Sequence, residues 1–250
     1  QKAVARQRHL PKLVAPRLAG RGFRADLAAY GKNYASLYRA IAAESGASRI
    51  VDASKWPFQA LALRRAGIDV RVIHLVRDVR GVAYSLGKQI TRPHALEQVD
   101  QMSHQVPAEA AARWLAIQGQ AELLRRCGVP VTRVRYEDFV PQPGPVVQAA
   151  LAALGLPSGD SGPSGLAHVE GTSVVLGPSH GLSGNPSRFR DGKITLRADE
   201  AWRDRMSRRD RLVITAIGLP FLVRYRWSLI KGRNRPRPAD STTPSPAQET

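Results

Sequence analysis

Arg77 and Ser85 stand eight positions apart in RVIHLVRDVRGVAYSLGK, residues 71–88. A guanidinium and a hydroxyl that look at one point suit a phosphate. Whether they do depends on what lies between. Val72, Ile73, Leu75 and Val76 form a short apolar run of the kind buried in a parallel sheet. If Asp78 caps the helix that follows, Val82 and Leu86 face inward and Ser85 falls two turns on, under Asp78. Arg77 then ends a strand, where open α/β sheets bind ligands and where helix N–H groups favour anions. The same residues also read as a surface ion pair and a solvated serine, so the junction alone leaves phosphate binding open. Arg80 reads as a solvated helix charge, and Arg71 as a charge at the strand start.

Two further strand ends add polar residues: Asp52, Ser54 and Lys55 follow the first, and Tyr136, Glu137 and Asp138 follow the third. The elements that must position them can be read from periodicity. Leu27, Tyr30, Tyr34, Leu37, Tyr38 and Ile41 recur at helical spacing, which predicts a helix over 23–45. A strand over 49–53, a helix over 58–66 and a strand over 71–77 make a β-α-β unit, and such crossovers imply a parallel sheet. Helices over 107–127 and 146–154 flank a strand at 131–136. Residues 166–198 read as short extended pieces joined by turns, and 199–211 as helix. The apolar run 212–223 is shorter than the roughly 20 residues a membrane-spanning helix needs, and reads as a buried helix ending near Gly218. The expected fold class is α/β, a three-layer architecture around a parallel sheet, with all three strand ends at one edge. The expected organisation is a basic arm at 1–22, one α/β domain at 23–230 and a disordered, Pro-rich tail at 231–250.

The 250 residues carry 38 Lys and Arg against 20 Asp and Glu, a net charge of +18, which points to phosphate-bearing or polyanionic partners. Cys127 is the only cysteine, so an intrachain disulfide and a cysteine-based zinc site are excluded. No histidine pair has ligand spacing, and no metal is expected. With no signal peptide, the expected location is a reducing, cytoplasmic interior.

VDASKWP, HLVRDVRGVAYS and VRYEDF together resemble the PAPS-dependent sulfotransferases, particularly the bacterial ones, over roughly residues 49–227. The resemblance implies a P-loop-type nucleotide-binding fold, with 3′-phosphoadenosine 5′-phosphosulfate donating a sulfuryl group to a hydroxyl or amine acceptor, without a metal. It implies that Arg77 and Ser85 hold the 3′-phosphate, that Tyr136 lies near the adenine, and that Lys55 balances charge at the transferring group. HGLSGNPSRFRDGKITLRADEAWRDRM, from His180, resembles the family's late nucleotide-binding loop: Gly184 and Asn185 permit a tight turn, and Arg188 is the expected second phosphate ligand. Trp202 in this stretch reads as a packed helix-face residue rather than a shield over the nucleotide. His180 is the best candidate for the base within the chain, and His74 reads as a hydrogen-bonded core residue.

The family's Gly-rich loop for the 5′-phosphosulfate is not found. GxxxxGK[ST] is absent, and GDSGPS at 159–164 follows no strand, so the expectation is an N-terminally truncated domain that is inactive alone. Two alternatives remain: a basic module for nucleic acid or an anionic surface, and a P-loop kinase-like phosphotransferase. Nucleic acid is not the expected partner, because the basic residues are scattered and no recognition motif appears.

Overall fold

The computed structural model describes residues 4–53, 56–87, 106–157, 166, 168–177 and 191–227. The chain opens with short helical turns, including α1 (Leu10–Val14), which bury Leu13. The long α2 (Arg21–Ser45) follows, closed by Gly46 in the left-handed conformation (φ 66°). Then come α3 (Pro57–Arg65), β1 (Val72–Val76), α4 (Val79–Leu86), α5 (Pro107–Arg126), β2 (Val131–Arg135), α6 (Tyr136–Phe139) and α7 (Pro143–Ala153). Strands β3 (Val169–Glu170), β4 (Ser173–Leu176) and β5 (Gly192–Thr195) form a small antiparallel sheet in that order. Helices α8 (Trp202–Arg205) and α9 (Arg208–Arg224) complete the described chain.

The architecture is α/β. Strands β1 and β2 pair in parallel, Val72 opposite Val131 and Val76 opposite Arg135. The crossover between them runs through α4 and α5, so both strands end at the same edge. Trp114 on α5 fixes that edge, because its indole N–H donates to the Arg77 carbonyl at 3.1 Å.

Two apolar clusters hold these elements. Val76, Val79, Ala83, Trp114, Ile214, Leu222, Tyr225 and Trp227 join β1, α4, α5 and α9. Leu13, Leu27, Tyr30, Leu61, Leu63, Leu124 and Val129 join α1, α2, α3 and α5.

Three expectations are corrected. Residues 49–53 form no strand: Val51 is 94% exposed, and Asp52 accepts a 2.7 Å hydrogen bond from the Tyr38 hydroxyl instead. With Ile50 and Val51 alone apolar before an aspartate, the stretch has little to bury and pairs with no strand. The last helix does not end at Gly218. It runs through Gly218 and Pro220 to Arg224, because a glycine is what its crossing with α4 requires: a Cβ there would lie 2.6 Å from Val79 Cγ1. Burial of Leu222, Tyr225 and Trp227 beyond the crossing outweighs the proline's cost of about 3 kcal/mol. Nor is this helix buried all round, since Leu212 is 73% and Val223 60% exposed.

Candidate functional site

Arg77 is the first residue past β1, and α4 begins two residues later. Asp78 between them is the helix cap, its Oδ1 accepting from the Arg80 backbone N–H at 2.9 Å. The Asp78 carboxylate then does more than cap. Arg80 folds back onto it, Nε donating to Oδ1 at 2.9 Å and Nη2 to Oδ2 at 2.6 Å. Arg80 is therefore not the solvated charge its sequence position suggests; it is 4% exposed, beside an equally buried carboxylate. Trp202 from α8 covers the pair, with the Arg80 guanidinium 4.7 Å from its ring. Burying the ion pair is tolerable because one edge of the guanidinium makes two bonds to the carboxylate and an aromatic face replaces water.

Glu137, two residues past β2, reaches across the sheet edge to the same junction. Its Oε1 accepts from the Asp78 backbone N–H at 3.0 Å. Burial pushes the Glu137 carboxyl above its ordinary range; the Asp78 N–H opposes this and the Asp78 charge adds to it. The Trp227 indole lies close enough to pull the carboxyl partly back, yet neither Trp227 Nε1 nor Glu137 Oε2 completes a hydrogen bond. Glu137 thus braces the N-terminus of α4.

Arg77 and Tyr136 end β1 and β2 as neighbours, and they meet. The Arg77 guanidinium lies 4.7 Å from the centre of the Tyr136 ring. Its approach passes over Gly81, where a Cβ would stand 3.0 Å from Arg77 Nε and 3.2 Å from Trp202 Cδ1. The outer side of the guanidinium faces the segment after β5. Nη2 donates to the Asp199 carbonyl at 2.5 Å and lies 3.3 Å from Asp199 Oδ2. Tyr136 holds the same segment: its hydroxyl donates to the Arg197 carbonyl and accepts from the Asp199 N–H, both at 3.2 Å.

Arg77, Asp78, Tyr136, Glu137, Ala198, Asp199, Glu200, Trp202 and Arg203 line the resulting cleft, which has room for about one water molecule. The arrangement is a cation held between an aromatic face and a carboxylate, at the carboxyl edge of a parallel pair and the N-terminus of a helix. Such a site can exchange its internal carboxylate for an external anion.

Of the expected site residues, the structure brings together Arg77 and Tyr136. Ser85 sits half-buried near the end of α4 and does not line the cleft. Lys55, His180, Asn185 and Arg188 lie outside the described residues, as do Ser54, the 159–164 stretch and the 231–250 tail. Trp202 is 6% exposed, as expected of a packed residue, and it also forms a wall of the cleft. His74 is half-buried on β1, with burial pushing it down to about 4 against the opposing pull of a hydrogen bond with Gln118. Glu137 is one of the polar strand-end residues expected at this edge, whereas Asp199 was not singled out by sequence; 122 positions separate Arg77 from Asp199, and no local pattern links them. Among the described residues, no cluster of His, Cys, Asp and Glu could hold a metal ion. Comparison with protein-family models, with curated proteins and with solved structures found no match for this chain.

Proposed function

We propose that this chain is the nucleotide-binding body of a PAPS-dependent sulfotransferase of the P-loop, three-layer type, with Arg77 as ligand of the donor's 3′-phosphate. The observation that carries the proposal is the meeting of Arg77 and Tyr136 at the ends of two parallel strands, beside the first turn of α4. A guanidinium with one face on an aromatic ring and a helix N-terminus alongside supports binding of a nucleotide phosphate. The +18 charge favours the approach of such a ligand.

In the reaction, the acceptor oxygen or nitrogen attacks sulfur, the bond from sulfur to the bridging phosphate oxygen breaks, and the acceptor proton passes to a base. The roles proposed for Lys55, at the bridging oxygen, and His180, as the base, rest on the sequence alone. Arg77 acts before the chemistry, by fixing the nucleotide so that attack is in line. To do so it exchanges Asp199 for the phosphate, and the 197–199 segment moves off the cleft.

Calorimetry of the whole chain with 3′,5′-bisphosphoadenosine and with 5′-AMP tests the proposal. The expected result is tighter binding of the bisphosphate, with the preference abolished by Arg77→Ala. Equal affinities for the two ligands would overturn it.

A further inference from the structure

The solvent side of α9 carries an apolar face for three turns, with half-buried Thr215 at its edge. At 100° per residue, Leu212, Ala216, Leu219 and Val223 align in one row with Val213 and Pro220 beside it, and all six are exposed. Leu212 is 73%, Val223 60%, Leu219 42% and Val213 41% exposed. The opposite side, with Ile214, Gly218 and Leu222, is fully engaged by the core. Arg211, the charged residue immediately before the apolar run, turns inward and donates to the carbonyls of Trp202 and Arg203. Arginines border the apolar face at both ends: Arg208 and Arg209 at the N-terminus, Arg224 and Arg226 at the C-terminus, all exposed. Arg224 is shared with Glu122 at 2.6 Å, and the nearby Asp210 is bound to the Ser207 cap.

We propose that this face is an interfacial docking surface for an anionic lipid bilayer, with α9 lying in the plane of the membrane. Two observations select this occupant. A second copy of the chain would bring arginine ends onto arginine ends in either two-fold arrangement, parallel or antiparallel, whereas anionic headgroups complement both ends. A protein partner would find no hydrogen-bonding side chain along the row, whereas acyl chains need none. No helix among the described residues is long and apolar enough to cross a membrane, so the contact is with one leaflet.

The test places an environment-sensitive fluorophore on Leu219→Cys in a Cys127→Ala background, with Val51→Cys, 94% exposed and off this face, as the comparison site. Vesicles of phosphatidylglycerol with phosphatidylcholine are compared with phosphatidylcholine alone. The expected result is a blue shift at 219 only, larger with the anionic vesicles and partly retained in salt that removes binding by charge alone. Leu212→Gln with Val223→Gln should weaken vesicle affinity roughly tenfold or more, with no fall in thermal midpoint, because both side chains are already in water. Two results would overturn the proposal. One is a label at 219 that stays aqueous on vesicle-bound protein, meaning attraction by charge alone. The other is a dimer in sedimentation that the double substitution dissolves, meaning that a second copy covers the face.

Discussion

Asp199 occupies the side of Arg77 that the proposed 3′-phosphate would take, so Asp199→Asn should tighten binding of 3′,5′-bisphosphoadenosine. The substitution keeps the size of the side chain and the backbone bonds to Tyr136 and Arg77, and removes only the negative charge 3.3 Å from Nη2. Near a protein surface a pair at about this distance has a raw attraction of roughly 4 kcal/mol. Here the two side chains are 20% and 39% exposed. Solvent screening and the freedom regained on separation reduce the net worth to about 1 kcal/mol. A ligand that must displace the carboxylate then gains about fivefold in affinity when the charge is gone. The assay is titration calorimetry in a double-mutant cycle with Arg77→Ala. The gain should vanish in the Arg77→Ala background, because no guanidinium remains to be released. An equal gain in both backgrounds would refute the reasoning, since it would mean that Asp199 repels the nucleotide at a distance and does not compete for Arg77.

Arg80→Ala should cost about 3 to 5 kcal/mol of stability in chemical denaturation, because it leaves the Asp78 carboxylate buried without its partner; a loss below 1 kcal/mol would mean that Asp78 is solvated. Arg80→Lys should rescue little, since an ammonium cannot reproduce the two-pronged contact or the stacking on Trp202. Glu137 has a folded-state pKa above its unfolded value, so its ionisation works against the fold as pH rises through and above the ordinary carboxyl range. Glu137→Gln, which keeps an acceptor for the Asp78 N–H, should raise the thermal midpoint at pH 7, and the gain should shrink below about pH 4.5; a gain independent of pH would contradict this. His74 is depressed from 6.5 to about 4, so its contribution is complete above pH 6.5 and is lost as pH falls toward 4. Over that window the fold should lose about 2 to 3 kcal/mol that a His74→Asn variant does not lose.

What the sequence disclosed and what it hid divide along chain distance. The Arg77 strand end and the Asp78 cap were legible because apolar run, cap and helical face all lie within a few residues of one another, although the run is not buried on both faces: Ile73 is 47% and Leu75 58% exposed. The parallel direction of β1 and β2 followed from the helices between them. Arg80 was misjudged because nothing local says that Trp202, 122 positions later, will cover it. The length of α9 was misjudged because Gly218 and Pro220 are breakers in isolation, whereas contact with Val79 makes the glycine necessary. The strand expected at 49–53 failed for the converse reason: a strand is a property of a pair, and that segment has no partner beside it among the described residues. Asp199 illustrates the limit most directly, because a carboxylate so far along the chain meets Arg77 only when folding sets the two together.

The most direct test of the central claim is a phosphorus NMR titration of 3′,5′-bisphosphoadenosine with the intact chain, because the two phosphates report separately. The 3′-phosphorus resonance should shift and saturate, and that shift should disappear with Arg77→Ala while the variant stays folded. A 3′ resonance that does not move, or moves equally with Arg77→Ala, would contradict the assignment of Arg77 as the 3′-phosphate ligand.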